Sequence, residues 1–144
     1  MTITVRCAAP SDQDYSCVAA RIPPAVVTAR IVGRNIAVAE LDGRPVGALH
    51  LEYLWGTRPY VALIRVDSAA QRQGVGRALL AFISSDLASA GHQQLFSSSQ
   101  ADEAEPQAWH RHMGFVECGF IAGINAGGVG EVFFVKRLST QVSE

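Results

Sequence analysis

The sequence predicts an α/β fold: a mixed sheet of about seven strands with four helices packed on it. Three observations lead there. Runs of alternating or β-branched residues recur through the chain, an amphipathic stretch from Gly74 to about Ala90 separates two of them, and turn dipeptides close the others into hairpins. A crossover as long as the Gly74 stretch makes the strands on either side parallel neighbours, while hairpins flanking that unit are antiparallel. With 144 residues and 49% hydrophobic content, the chain is long enough to bury one core. One domain is therefore expected over residues 1–138, with "STQVSE" (139–144) as a frayed tail.

The elements follow in order. "TITVRCA" reads as the first strand, to about Cys7. Pro10, Ser11 and Asp12 supply helix-start signals, so the segment to Ile22 is expected to be helical. Pro23 and Pro24 begin a second short helix that ends near Gly33. "NIAVAEL" and "PVGALHLEYLW" flank Asp42-Gly43, a dipeptide that favours a tight hairpin turn. "TRPYVALIRV" is a further strand, to Val66. Val75, Leu79, Phe82, Ile83 and Leu87 then form an apolar helical stripe, and Gly91 stops it. "QQLFSSS" is a short strand. Asp102, Glu103 and Glu105 favour a helix N-terminus, Pro106 suits a first turn, and the helix ends at Gly114. "FVECGFIAGI" and "EVFFVKRL" close the chain as two strands around "NAGGVG".

Composition narrows the function. Net charge is −1 and Lys136 is the only lysine, which leaves no electrostatic footprint for nucleic acid or an anionic membrane. No apolar run reaches the ~18 residues of a membrane span, and "MTITVRCAAP" lacks a secretory apolar core. A cytoplasmic protein is the expectation. Cys7, Cys17 and Cys118 have neither metal-type nor redox-type spacing. His110 and His112, two apart on a helix, point to different sides, so no metal is expected.

The chemistry concentrates in "QRQGVGRALLAFI", Gln71 to Ile83. A helix N-terminus has backbone N–H groups without intrahelical partners and carries partial positive charge, and residues lacking Cβ let an anion come close. Gly74 and Gly76 meet that need, so the N–H groups of Arg72, Gln73, Gly74, Val75, Gly76 and Arg77 are expected to converge on a phosphate site. Two glycines at a helix start also serve a core helix that binds nothing. The dinucleotide fingerprint is excluded because Leu79 stands where its third glycine belongs, and a Walker loop needs Gly-Lys-Ser/Thr.

"LIRVDSAAQRQGVGRALLAFI" resembles motif A of the GNAT superfamily, the acetyl-CoA-dependent N-acetyltransferases, with Gln71, Gly74 and Gly76 filling the Gln/Arg-x-x-Gly-x-Gly/Ala signature. "AWHRHMGF" resembles the family's later helix ending in Gly-Phe. The two motifs span about Leu63 to Phe115, and the element order matches over nearly the whole chain. The resemblance implies a central parallel pair splayed to hold coenzyme A, with the pantetheine arm along the backbone near Val66 and the pyrophosphate on Gln71 to Arg77. It implies acetyl transfer from acetyl-CoA to a primary amine, by direct attack and without an acyl-enzyme. The acceptor is a small-molecule or protein amine, entering between the Cys17–Ala25 region and the "GINAGGVGE" loop. A homodimer is compatible with this reading.

The reaction needs a base for the ammonium proton, a donor for the oxyanion and an acid for the thiolate. Glu52 is the preferred base, with His50 on the same strand face and Asp67 as further candidates; Glu52 as a plain exposed carboxylate stays open. The family's acid, a Tyr, corresponds to His110, which either donates a proton or simply packs. The family's Asn before that helix is missing, "DEAEP" standing in its place. A non-catalytic acyl-CoA-binding or sensing module is the alternative, prompted by the absent Tyr.

Overall fold

Strand β1, Ile3–Cys7, opens the computed structural model, which describes residues 2–139. Residues 140–144 of the expected tail lie outside the described residues. The helix expected from Pro10 to Ile22 is not continuous. A 3-10 turn occupies Pro10–Asp12, and a single helical turn, α1, occupies Ser16–Ala19. Arg6 Nη1 and Nη2 donate to the Asp12 carboxylate at 2.7 and 3.0 Å, and the Ala9 N–H donates to it at 2.7 Å. Asp12 thus closes a turn against β1 instead of starting a long helix. Ala20 and Arg21, with φ of 48° and 57°, stop α1 in the left-handed region.

The remaining elements match the expected order. Helix α2 spans Pro24–Val32, with Pro24 in its first turn and Gly33 at its C-terminal end. Strands β2 (Ile36–Leu41) and β3 (Arg44–Leu54) flank Asp42 and Gly43, whose φ values of 50° and 85° fit the tight hairpin turn. Then come β4 (Arg58–Val66), α3 (Val75–Ser89), β5 (Gln94–Gln100), α4 (Ala104–His112), β6 (Val116–Ile121) and β7 (Glu131–Arg137). The seven strands form one sheet in the order β1-β2-β3-β4-β5-β7-β6. β4 and β5 run parallel, with Tyr60 opposite Phe96, whereas β1–β2, β2–β3, β5–β7 and β6–β7 are antiparallel.

The chain divides into two compact units: one runs to residue 52 and resumes over 62–86, and the other comprises 53–61 and residue 87 onward. In the first unit, Cys17, Val18, Val27, Ile31, Ile36, Val38 and Ala48 form a buried cluster that brings α1 and α2 onto β2 and β3. On β3, Gly47 alternates with Ala48 and so faces the other side, where α3 packs. A Cβ on Gly47 would sit 2.9 Å from the Arg65 carbonyl oxygen and 3.1 Å from Val75 Cγ1. The missing side chain lets the start of α3 lie close to β3. In the second unit, Leu95, Phe115, Val132 and Phe134 are buried, each such side chain contributing about 1.5–3 kcal/mol. All six residues of β6 are exposed, as befits an edge strand.

Candidate active site

The loop between β4 and α3 carries two backbone features that sequence alone does not display. Arg72 and Gly74 both have positive φ, 65° and 87°. Alternating left-handed residues turn successive N–H groups toward one concavity, a geometry that suits an anion. A left-handed non-glycine residue such as Arg72 is strained by roughly 1–3 kcal/mol, and strain of this kind gathers at ligand sites. The first intrahelical bond of α3 is Ala78 N–H to Gly74 O at 3.0 Å, so the N–H groups of Val75 and Gly76 precede the helical ladder. Gly74 is exposed, and a Cβ there would approach only Ile3 Cδ1, at 3.9 Å.

The side chains of this loop brace it. Gln71 Nε2 donates to the Val66 carbonyl at 3.3 Å, and Gln73 Nε2 donates to the Ala69 carbonyl at 3.2 Å. Gln71 therefore ties the loop to the end of β4. The Asp67 N–H donates to Val46 O at 2.8 Å. The Asp67 N–H is therefore engaged and is not a free donor for the oxyanion.

Beside this loop, still within the first unit, a cavity of about 440 Å³ lies between Ser16–Cys17 of α1 and the run Ile64 to Ser68, with Gln71 at its edge. Asp67 is its one carboxylate and Arg65 its one guanidinium. Cys17 Sγ donates to Asp67 Oδ1 at 3.3 Å. Burial pushes the Cys17 thiol up, and burial followed by the neighbouring Cys17 and Asp67 pushes the Tyr15 hydroxyl up, so both stay neutral near pH 7.

The candidate bases on β3 are placed differently. Arg30 of α2 bridges them: Nη1 donates to His50 Nδ1 at 3.1 Å, and Nη2 donates to Glu52 Oε1 at 2.5 Å. The expected common face is thus real, and a guanidinium occupies it. His50 is fully buried. Burial and then Arg30 push its pKa down to about 4, against opposing backbone groups of Cys17 and Val18. Because Arg30 can only donate, His50 is neutral with its proton on Nε2. Glu52 lines a second cavity of about 430 Å³, together with Ala25, Val26, Ala29, Arg30, Asn35 and Leu51.

His110 lies in the second unit, 4% exposed, with its ring stacked on Phe134 at 4.7 Å and 2°. Nδ1 donates to the Pro106 carbonyl at 2.7 Å, and Nε2 pairs with Ser97 Oγ at 2.7 Å. A carbonyl cannot donate, so in the neutral ring Nε2 accepts from the serine. Burial lowers its pKa, against the opposing effect of the Pro106 carbonyl. Both nitrogens are satisfied inside the core, an arrangement that fits the packing alternative raised for this residue.

Sequence reasoning passed over a polar network in the same unit. Tyr60 OH and Ser98 Oγ lie 2.6 Å apart, Ser98 donates to Glu131 Oε2 at 2.5 Å, and Asn125 Nδ2 donates to Glu131 Oε1 at 2.9 Å. It ties β4, β5 and β7 to the loop before β7. Its only signal was three consecutive serines, Ser97 to Ser99, inside an apolar strand.

Several solved structures share this fold. Ard1 from Thermoplasma volcanium superposes with a TM-score of 0.85 at 18% identity, over 96% of this chain and 99% of that one. The ribosomal-protein-S18-alanine N-acetyltransferase from Escherichia coli gives 0.80 at 19% identity, over 99% and 97%. A protein from Bacillus anthracis str. Ames, solved in complex with acetyl coenzyme A, gives 0.66 at 20% identity, over 72% and 62%. No curated protein matches the sequence. The family model described as "Acetyltransferase (GNAT) domain" matches residues 33–117, more than half of the chain. The chain belongs to the GNAT acetyltransferase family.

Proposed function

We propose that this protein transfers the acetyl group of acetyl-CoA to a primary amine by direct attack. The observation that carries the reading is the β4–α3 corner, where left-handed Arg72 and Gly74 and the first-turn N–H groups of α3 make a concave anion cradle on an exposed surface. The cofactor-binding set is Val66 with Gln71, Arg72, Gln73, Gly74, Val75, Gly76 and Arg77. Backbone N–H groups hold the pyrophosphate, and the Arg72 guanidinium adds positive charge. Bound acetyl-CoA supplies the thioester, whose C–S bond breaks as the amine's N–C bond forms and the sulfur leaves with the bonding pair.

The attacking nitrogen must first lose a proton, because an ammonium has no lone pair. Asp67 is the carboxylate in the cavity beside Val66 and Gln71, and it is our choice of proton acceptor. Glu52 serves instead as the partner of Arg30, holding α2 against β3. His110 acts through packing, and the thiolate leaves without its help. The reading without turnover, an acyl-CoA sensor, draws support from the same two residues, since neither is poised for proton transfer.

One experiment separates the two readings. Calorimetry with acetyl-CoA is followed by a thiol-release assay over a panel of amines. Binding with amine-dependent thiol release supports the transferase. Binding without release for any amine supports the sensor, and no binding overturns both.

A further inference from the structure

We propose that the cavity between α1 and the end of β4 takes a zwitterionic α-amino acid, its ammonium on Asp67 and its carboxylate on Arg65. This inference rests on the acetyl-transfer reading and names the acceptor class for it. Arg65 and Asp67 are two residues apart on β4 and its extended continuation, and the period of a strand puts both side chains on one face. Both line the same cavity of about 440 Å³, within the ~300–1,000 Å³ typical of small-molecule sites.

The two charges are unspent. Among the described residues neither Arg65 nor Asp67 takes part in an ion pair, with each other or with another side chain. No other charged residue lines the cavity. Asp67 meets a thiol, Cys17, whose ionisation burial opposes, and the hydroxyl of Tyr15 nearby stays protonated for the same reason. The imidazole of His50, with a pKa pushed down to about 4, is also neutral. Ser16 adds a hydroxyl at the wall.

Opposite charges set side by side select among ligands. Roots two residues apart on a strand are about 6.6 Å apart, a span that an α-amino acid bridges with one charge-assisted hydrogen bond at each end. A diamine satisfies Asp67 and sets a second cation against Arg65. A simple carboxylic acid does the reverse. A phosphate in this cavity meets the Asp67 carboxylate, which repels it.

The test uses the full chain with acetyl-CoA, the common α-amino acids and their carboxamides. The amide keeps the amine and deletes the anion. At least one amino acid is expected to be acetylated with kcat/KM about 10- to 100-fold above that of its amide, the range for a hydrogen bond to a charged group. Arg65→Gln should lower that ratio toward one. Nuclear magnetic resonance titration of the same pairs into the CoA-loaded protein reads binding without turnover, and the acid should bind more tightly than the amide. Equal use and equal binding of acid and amide, or an acid-to-amide ratio that Arg65→Gln leaves intact, overturn the inference. Retained acetyl-CoA affinity in that case leaves the acetyl-transfer reading standing, whereas absent acetyl-CoA binding in wild type sinks the latter on its own.

Discussion

His50 and His110 are both held neutral by burial, and His50 gives stability a sign with pH. Its folded pKa of about 4 lies below the ordinary 6.5, so the unfolded chain binds the extra proton first. The stabilisation is complete above pH 6.5 and drains away as pH falls toward about 4, by up to about 3 kcal/mol at 1.4 kcal/mol per unit. Urea midpoints at about pH 7 and pH 4.5 should differ markedly for wild type, and less for His50→Leu. An unchanged pH slope in that variant would remove His50 from the account. His110→Ala should cost about 2–4 kcal/mol, because it empties a stacked core position and strands the Ser97 hydroxyl. The pH profile of kcat should keep its shape in the folded variant; loss of one limb would return His110 to the role of proton donor. The sequence named both histidines as candidates but could not show their partners. Arg30 is 20 residues from His50, and Pro106 turns only its carbonyl, which no motif records.

Elements were legible where their signal is local. The Asp42-Gly43 turn, the apolar stripe of α3 and the Pro24 start of α2 each depend on neighbours within a few residues, and each forms as expected. The segment from Pro10 to Ile22 failed because Asp12 is claimed by Arg6, a residue of another element. Gly47 is the same lesson at a contact between elements, since its spacing to α3 is set by the whole β3–β4–α3 arrangement. Gly47→Ala should cost about 1–3 kcal/mol through overpacking against Arg65 O and Val75 Cγ1. It should also weaken acetyl-CoA binding, because relief of the clash moves the first turn of α3 that carries the cradle. Chemical unfolding and calorimetry on the same preparation read both effects, and a destabilised variant with wild-type affinity would detach the cradle from this packing.

At the scale of the molecule, the sheet's parallel centre followed from the crossover helix, whereas the positions of the last two strands did not follow from anything in the chain's pattern. β6 and β7 are similarly apolar in sequence, yet β7 lies inside the sheet with Val132 and Phe134 buried, and β6 forms the exposed edge. The proposed cofactor site was legible because its signal, glycine spacing at a helix start, survives as a pattern in the sequence. The proposed acceptor site was not, because Arg65, Asp67 and Cys17 line one cavity only in the folded first unit. A ligand that binds only the folded chain raises its stability by about 2.7 kcal/mol at a hundredfold excess over Kd. Acetyl-CoA should therefore raise the thermal midpoint by several degrees. The most direct test of the cradle itself is calorimetry of acetyl-CoA with wild type and Gly76→Glu. Wild type should bind, and the variant should lose at least a hundredfold in affinity, because its side chain brings bulk and negative charge to the first turn of α3. Equal affinity in the two folded proteins would contradict it.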